Sequence, residues 1–525
     1  MDYKDWTKEA LIERLQSLDK LVSHKTETDP EVLSVPSVSA ANATSATDTS
    51  MAECEGAEVL GSVEQASPRR KKHAAKFDFA DFPKRKVALK FGYFGWAYHG
   101  LARQGNALES EEKRQVEKQF PTIEGEIFRA LFTCRLVEDE SSCGYSRCGR
   151  TDRGVSGFGQ VIALHVRSAG QYISDEEAAA ELAKGTDASL ITRDEQNGGK
   201  LVLLPSPDRE LPYVNMINKC LPPAVRILAW SPVKLDFDAR FSCKERFYRY
   251  FFSQEGLDIG AMKEAAKRYV GTHDFRNFCR LDAAKQICNF ERQVLDIAIN
   301  PVPPQVPFVG DGLNAEGKWW QLELRGTAFL WHQVRCMMAI LFHVGQGLED
   351  PSVVDRLLDV QSTPGKPEYE MASDIPLVLA NCVFDSADVQ WIHMRDPGLD
   401  YGHLVNLDRA ILNQWGQLNT QAVIASALLQ SLRSTAVAMP NKTRDASAVS
   451  IQPEMGPWAV CREQIIQSEK ASKLNLKLGG GYIKHLRQYV PIMQRKRADP
   501  VDLRNKTWLA RKNNSKRAKM APKLE

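Results

Sequence analysis

Residues 148–156 read CGRTDRGVS and are followed directly by GFGQV. The stretch lies between two segments whose composition predicts strands, residues 145–149 and 160–166. An arginine, a carboxylate and glycines in one short loop can hold Asp152 at the floor of a cleft, where the backbone is free to approach a ligand. The residues alone also allow an ordinary turn, in which the aspartate accepts hydrogen bonds from backbone amides.

Strand and helix patterns are interleaved on both sides of this loop. Strands are predicted at residues 87–93, 247–253, 290–300, 318–326 and 377–384, and helices at 122–137, 260–270 and 330–344. Thr122 is a predicted helix N-cap. Because the strands are rich in aromatic residues and often alternate with polar ones, an α+β fold with a mainly antiparallel sheet is favoured over a doubly wound fold. Polar insertions at 103–120, 168–210 and 301–317 are expected to be loops on one core.

The composition excludes several classes of protein. Of 525 residues, 43% are hydrophobic and 26% charged, as in a soluble globular chain, and the net charge is only +3. No secretory signal opens the chain, and no run of about 18 apolar residues could span a membrane. The 11 cysteines include no CxxC pair and no Cys/His group with zinc-ligand spacing, the nearest trio being Cys134, Cys143 and Cys148. We therefore expect no metal site, and reduced thiols in the cytosol or nucleus.

Composition and charge divide the chain into regions. They are an amphipathic helix (1–24), a disordered linker (25–83), a folded core (84–386), a helix-rich extension (387–490) and a basic tail (491–525). The first helix is either a docking element or a helix packed on its own domain. A basic run at 67–72 suits nuclear import, RNA contact or a solvated patch. The tail has 11 Lys and Arg against three Asp and Glu, which suits phosphate contacts or solubility.

The loop that contains Asp152 resembles the active-site motif of the TruA-type pseudouridine synthases, roughly GRTD-x-GV-x-x-x-x-Q. Further blocks resemble that family in order across about residues 85–385. They are FGYFGW at 91–96, the Asn-x-x-Leu-Pro segment at 218–222, FDARFS and RFYRY within 237–250, HDFRNF at 273–278 and FLWHQVR at 329–335. Phe94, Asp238 and Pro376 stand where the family has Asp, His and Gly. The N-terminal helix and long C-terminal extension resemble the eukaryotic branch that modifies tRNA uridines 38 and 39.

The resemblance implies a fold, a reaction and partners. The pseudouridine synthase fold has two similar halves, here about 84–240 and 241–386, around a central basic cleft, with helical extensions at both ends. The reaction flips a uridine out of the anticodon stem-loop, breaks its N1–C1′ bond, rotates the uracil and joins C5 to C1′. It needs no cofactor. The partner is tRNA, the enzyme is expected to be a homodimer, and its location the nucleus and cytoplasm.

The resemblance also assigns roles at the site. Asp152 is the essential carboxylate. Arg335 is its basic partner, and an ion pair is favoured over a snorkelling side chain because a charge in an apolar helix needs a partner. Arg150 fills the space that the flipped base leaves. Tyr248 stacks on that base and can assist proton removal from C5, although it could also be a core aromatic of its strand. Leu377 is an apolar pocket residue.

Five basic residues are candidates for RNA contact, on weaker grounds. Arg240, Arg246 and Arg249 lie near the motif that contains Tyr248, and Lys496 and Arg497 lie in the basic tail. Each of them could also be an ordinary surface residue.

Three other functions are weighed against this one. A neighbouring eukaryotic branch of the same family modifies other tRNA positions. An RNA chaperone that kept the fold without turnover would be expected to have lost Asp152, Tyr248 or Arg335, and all three are present. A metal-dependent nuclease or deaminase would need a ligand cluster or an H-x-E…P-C-x-x-C pattern, which the sequence lacks.

Overall fold

The structure, a computed structural model, describes residues 77–103, 119–194, 197–303, 319–392, 402–437 and 474–520. The helix predicted at 1–24 lies outside the described residues, as do most of the linker and of the insertions at 103–120 and 301–317. The described chain begins before the predicted core boundary at 84. Phe77 and Phe82 stack with ring centroids 5.0 Å apart, and Arg167 lies over the ring of Phe82.

Strands and helices alternate along the described chain. The strands are β1 (Lys84–Tyr93), β2 (Ser146–Arg147), β3 (Ser156–Arg167), β4 (Gln171–Tyr172), β5 (Ile191–Asp194), β6 (Lys200–Leu203), β7 (Val225–Pro232), β8 (Glu245–Ser253), β9 (Gly271–Asp274), β10 (Glu291–Pro301), β11 (Trp319–Gly326), β12 (Leu377–Val383), β13 (Leu474–Lys477) and β14 (Ile483–Leu486). The helices are α1 (Ile123–Thr133), α2 (Asp175–Ala183), α3 (Tyr213–Asn218), α4 (Ile259–Lys267), α5 (Gln333–Gly345), α6 (Val353–Leu358), α7 (Gly402–Val437) and α8 (Val501–Met520). Each strand and helix predicted between residues 87 and 384 has a counterpart, with shifted ends.

One large sheet organises the fold. Its strand order is β7-β1-β3-β12-β8-β11-β10-β9, with the short β2 beside β3. Neighbouring strands pair in antiparallel fashion except β3 and β12, which run parallel where Val378 lies opposite Ser156. The prediction of an α+β fold with a mainly antiparallel sheet is confirmed. The parallel pair matters for the site because Ser156 directly follows the loop that contains Asp152.

Two apolar cores lie on the two parts of this sheet. In the first part, Ile127 and Phe128 of α1 pack with Tyr213 of α3 against β1, β3 and β7. Thr122 caps α1 as predicted, since its side chain accepts a hydrogen bond from the amide of Gly125. In the second part, the buried α5 packs on β8, where Phe342 meets the edge of Tyr250. The loop of Asp152 lies at the seam between these parts.

The prediction that residues 168–210 form a loop is wrong. This insertion contains α2 and a separate three-stranded sheet in the order β4-β6-β5. A capping box at Ser174 and Glu177 begins α2, and that signal was readable in the sequence. The strand β7 was also missed, although its buried residues pair directly with β1.

The C-terminal region differs from the predicted helix-rich extension and basic tail. The long helix α7 is present, but the hairpin β13–β14 follows it, and residues after the hairpin enter the second core. Leu476, Leu478, Ile492 and Val501 are all buried there. The segment 474–513 is therefore part of the folded domain. None of the described helices is both long and apolar enough to cross a membrane.

Candidate active site

The loop between β2 and β3 is tied down at several points. The hydroxyls of Thr151 and Tyr93 are 2.8 Å apart, and the side-chain amide of Gln160 donates to the carbonyl of Gly149 at 3.2 Å. The backbone amide of Leu101 donates to the carbonyl of Thr151. These contacts hold the backbone on both sides of Asp152, so its carboxylate is placed by the sheet rather than by a free loop.

Two side chains from the start of α5 lie against Asp152. The indole nitrogen of Trp331 donates a hydrogen bond to Oδ1 at 3.1 Å, and Nε2 of His332 lies 3.5 Å from Oδ2. The carboxylate retains 25% of its exposure. Its immediate partners therefore come from the second part of the sheet, whereas Asp152 itself belongs to the first.

The surroundings of Asp152 act in opposite directions on its ionisation. Burial raises the pKa of the Asp152 carboxyl above its ordinary value. The Arg335 guanidinium and the hydrogen bond from Trp331 lower that pKa, and the negative charge of Asp374 raises it again. The carboxylate is thus a destabilised anion that depends on nearby positive charge, which is the condition expected of a reactive group.

Arg335 does not form the direct ion pair with Asp152 that the sequence predicted. Its Nε donates to the carbonyl of Ala372 at 2.8 Å, and its NH2 group lies 3.5 Å from Oδ1 of Asp374. Arg335 acts on Asp152 through its field rather than by contact. Gly154 permits this arrangement because a Cβ at its position would lie 2.0 Å from Oδ2 of Asp374.

His332 has an unusual backbone and is uncharged at neutral pH. Its φ of 63° places it in the left-handed region at the N-terminus of α5, where a side chain other than glycine is strained. Burial and the positive charge of Arg335 lower the pKa of His332 to about 4. The contact between His332 and Asp152 is therefore not an ion pair.

Tyr248 and Leu377 lie near the loop on adjacent strands. Tyr248 on β8 is half-buried, meets Phe329 edge-on with centroids 5.1 Å apart, and faces Leu379 of β12. Burial raises the pKa of Tyr248 far above its ordinary value, so the phenol stays protonated. Leu377 is 4% exposed and pairs with Tyr250 in the second core. Tyr248 can present an aromatic face but not a tyrosinate base.

Arg150 lies two residues before Asp152 with an exposed side chain. Within the described residues it makes no recorded hydrogen bond or ion pair. A charged, unpaired side chain beside the catalytic loop suits the role that the resemblance assigned to it.

The three predicted RNA-contact arginines near Tyr248 have different surroundings. Arg246 is half-buried and donates to the carbonyls of Cys148, Arg240 and Thr327, so it braces the backbone and is not offered to a phosphate. Arg249 pairs with Glu323 at 3.1 Å and alternates to the opposite face of β8 from Tyr248. Arg240 is exposed, and its guanidinium lies over the ring of Phe241, 5.6 Å from the centroid.

The tail residues Lys496 and Arg497 lie on an extended segment that docks on the core. The carbonyl of Lys496 accepts from the amide of Glu368, and the Arg497 side chain donates to the carbonyl of Ser362 at 3.2 Å. Lys496 keeps an exposed ammonium group with no recorded partner in the described residues. Arg497 is partly committed to the protein.

A basic groove of about 970 Å³ lies between this segment, the hairpin β13–β14 and the stretches 279–281 and 366–371. We call it the C-terminal groove. Its charged lining residues are Arg280, Lys366, Lys484, Arg495, Lys496 and Arg504, with Glu368 and Glu370. The groove leads towards the site, because the guanidinium of Arg280 lies 5.0 Å from the ring centroid of Trp331. Lys484 pairs with Glu370, whereas no carboxylate partner is recorded for Arg280, Lys496 or Arg504 among the described residues.

Several residues that shape the site were not singled out from the sequence. Trp331 and His332 stand inside the quoted FLWHQVR block, so an indole donor beside a helix start was a readable signal. Asp374 carried no signal, because its importance comes from contacts with Gly154 and Arg335 that are remote in the sequence.

Comparisons with known proteins identify the family of this chain. A family model described as tRNA pseudouridine synthase matches residues 265–385. The tRNA pseudouridine(38/39) synthase of Bos taurus is 38% identical over 442 residues, which cover 83% of this chain and 79% of that protein. The tRNA pseudouridine(38/39) synthase of Saccharomyces cerevisiae is 34% identical over 521 residues, covering 98% and 93%. The tRNA pseudouridine synthase A of Methanosarcina mazei is 29% identical over 274 residues, covering 52% and 76%. At this identity and coverage, the chain belongs to the family of the tRNA pseudouridine(38/39) synthases.

Proposed function

We propose that this chain isomerises uridine to pseudouridine at positions 38 and 39 of tRNA, with Asp152 as the essential carboxylate. The main support for the proposal is the arrangement of side chains at the seam between the two parts of the sheet. A half-buried aspartate, held by the first part of the sheet, receives a hydrogen bond from Trp331 and the field of Arg335, both from the second part. The names of the eukaryotic relatives supply the positions 38 and 39.

The reaction conserves all atoms. The N1–C1′ bond breaks, the uracil rotates, C5 joins C1′, and the proton that leaves C5 is balanced by one gained at N1. The ionised Asp152 is placed to assist at the sugar, either as a nucleophile or by accepting a proton. The anion needs support in a half-buried site, and Arg335 and Trp331 provide it without forming a bond that would block both carboxylate oxygens.

In this proposal Tyr248 acts on the base by stacking and not by proton transfer. Burial raises the pKa of the Tyr248 phenol and makes a tyrosinate base costlier to form, so stacking is the role that we propose. Its ring is held by the edge contact with Phe329 and faces the strand that begins at Leu377. The exposed Arg150 is placed to enter the space that the flipped uridine vacates.

The C-terminal groove is the proposed path of the tRNA backbone beyond the target nucleotide. Its lining has six basic and two acidic residues, and Arg280 connects it to Trp331 at the catalytic carboxylate. Cations without a carboxylate partner are suited to phosphate contacts. Arg280, Lys496 and Arg504 therefore replace Arg246 and Arg249 as the better candidates, and Arg240 stays as an exposed one.

The decisive experiment is position-resolved pseudouridine mapping on unmodified tRNA incubated with the pure protein, beside the Asp152→Ala variant. We expect conversion at 38 and 39 by the wild type, and loss of conversion in the variant with tRNA binding nearly unchanged, since phosphate contacts supply most of the affinity. Conversion elsewhere would keep the chemistry and change the branch. Tight binding without conversion by the wild type would favour the RNA chaperone, and conversion by Asp152→Ala would refute the mechanism.

The homodimer and the nuclear and cytoplasmic location stay predictions. The dimer rests on the family resemblance, and light scattering of the purified chain would test it. A monomer that converts tRNA at full rate would refute the prediction of a dimer. Imaging of the tagged full chain would test the location.

A further inference from the structure

Three cysteines meet behind the catalytic loop. The Sγ atoms of Cys148, Cys243 and Cys382 all lie within 4.8 Å of one another, and the three residues are 1%, 7% and 3% exposed. They come from distant parts of the chain, so no spacing rule could reveal them. Among the described residues this is the one group of metal-ligand side chains gathered so closely.

The donors suit a thiophilic metal ion. Zinc binds cysteine sulfur at about 2.3 Å, which places neighbouring sulfurs roughly 3.8 Å apart in tetrahedral coordination. The observed separations can reach that value by small side-chain movements. Hard cations such as Mg²⁺ or Ca²⁺ prefer oxygen ligands and do not suit this set.

The charge balance also suits a divalent ion. Three thiolates and one Zn²⁺ carry a net charge of −1, and a buried anion needs a cation beside it. The Arg246 side chain is there, donating to the carbonyls of Cys148 and Cys243 at 3.1 and 3.2 Å. Cys382 lies directly opposite Arg246 in the pairing of β12 with β8. Apolar residues pack with the three cysteines, including Val161, Ala163 and Leu379, and keep solvent away from the sulfurs.

We propose that Cys148, Cys243 and Cys382 form a structural zinc site behind the active site. Binding removes one proton from each thiol, so three S–H bonds are replaced by three S–Zn bonds and three protons pass to the buffer. A fourth ligand would complete a tetrahedral site. The carbonyl oxygen of Glu245 lies 3.3 Å from Sγ of Cys243 and is one candidate for it.

The positions of the three cysteines show which segments of the chain the ion would join. Cys148 precedes Asp152 by one short loop, Cys382 lies on the strand that begins at Leu377, and Cys243 precedes the strand of Tyr248. An ion would thus join the three segments that build the catalytic seam. It takes no part in the isomerisation. The proposal replaces the expectation from sequence spacing that the chain has no metal site.

The test uses the full chain and a readout that is independent of activity. Protein purified without chelators is analysed for zinc and copper, and metal-free reduced protein is titrated with Co²⁺ while thiolate–cobalt absorption and proton release are followed. We expect about one zinc ion per chain, a cobalt–thiolate band, and about three protons released per ion. Copper in place of zinc, or no stoichiometric metal together with no cobalt band, would overturn the proposal.

Matched variants localise the ion. Cys148→Ser and Cys382→Ser should each lose most of the bound zinc. Cys143→Ser should retain it, because Cys143 is equally buried at 4% but lies outside the cluster. Zinc retained by both cluster variants would also reject the site. Because the wild-type titration needs no variant, a folding failure of either cluster variant leaves the test intact.

Discussion

At the scale of single residues, the ionised form of Asp152 that the proposed reaction needs is also the form that is less stable in the fold. Its pKa is raised by burial, so the native state binds the Asp152 proton more tightly than the unfolded chain does. The free energy of unfolding therefore falls as pH rises through the range between the unfolded and folded pKa values, and stays lower above it. Ionised Asp152 destabilises the fold that holds it.

Asp152→Asn should therefore abolish activity and increase stability at pH 8. The sign of the gain follows from the raised pKa of the Asp152 carboxyl, because the amide removes a charge that burial destabilises. The gain should shrink as the pH is lowered through the pKa of Asp152, because the wild-type carboxyl then becomes protonated. Urea unfolding over a series of pH values measures it. Asp374→Asn is the control and should destabilise, since Arg335 then loses its carboxylate partner; a less stable Asp152→Asn at pH 8 would contradict the account.

Trp331 provides a second prediction at this scale. Trp331→Phe removes the hydrogen bond to Oδ1 of Asp152 while keeping an aromatic ring, and that bond lowers the pKa of Asp152. In the proposed mechanism the carboxylate is active when ionised, so we expect activity to be lost as the pH falls through the pKa of Asp152. The acid limb of kcat/KM should move to higher pH, and the rate at neutral pH should fall about tenfold, equivalent to about 1.4 kcal/mol.

Trp96→Phe is the matched control for this experiment. The Trp96 indole is similarly exposed but donates to the carbonyl of Ile375, not to Asp152. Its pH profile should be that of the wild type. If the acid limb moved equally in both variants, or in neither, the positioning role of Trp331 would be refuted.

At the scale of elements, the catalytic loop depends on one glycine for geometry. Gly154 has a φ of +79°, and a Cβ there would lie 2.0 Å from Oδ2 of Asp374. Gly154→Ala should cost about 1–3 kcal/mol of stability and displace Asp374 from Arg335. Thermal unfolding and kcat measure the two effects. Gly149→Ala in the same loop has open space at its Cβ and no positive φ, so its stability should change by less than about 0.5 kcal/mol. Equal losses in both variants would refute this explanation.

The C-terminal segment is an element whose role depends on where its apolar residues lie. Ile492 is fully buried in the second core, and the Tyr489 hydroxyl lies 3.1 Å from Nδ1 of His343 on α5. Deleting the chain after residue 490 would remove Ile492 and Val501 from that core, and one buried isoleucine alone is worth about 2–5 kcal/mol. A truncation would therefore confuse lost folding with lost RNA contact, and point variants of exposed residues are needed instead.

At the scale of the whole molecule, prediction from sequence succeeded where the signal is local. Alternating aromatic residues identified β8, and the cap at Thr122 identified α1. The residues of the Asp152 loop also allowed an ordinary turn, and only their resemblance to a family motif singled the loop out. Contacts between remote residues were not predictable in the same way. Arg246 looks like a phosphate ligand in RFYRY, yet backbone carbonyls from three other segments occupy its guanidinium.

The same limit explains the remaining errors. The ion pair of Arg335 was predicted from the rule that a charge in an apolar helix needs a partner, and the rule held with a different carboxylate, Asp374. The basic composition of the tail predicted phosphate contacts or a role in solubility, and it did not reveal that Ile492 and Val501 are buried in the second core. Cys148, Cys243 and Cys382 converge only through the sheet.

The C-terminal groove yields the prediction that involves the whole molecule. Neutralising two of its unpartnered cations, Lys496→Gln together with Arg504→Gln, should weaken tRNA binding and flatten the plot of log affinity against log salt. Each lost phosphate contact reduces that slope by about 0.7–0.9, so the pair should reduce it by roughly 1.5. Binding measured from low to physiological salt gives the slope directly.

Lys506→Gln together with Lys512→Gln is the matched control. It removes the same charge from the same segment, at exposed positions of α8 that do not line the groove. Long-range attraction to tRNA changes equally in the two double variants, whereas direct phosphate contact is lost only in the first. A larger loss of slope in the groove variant therefore places the tRNA backbone against the C-terminal segment. Equal losses would mean that the groove attracts tRNA only through the general field of the protein, and the path proposed from Trp331 through Arg280 would have to be abandoned.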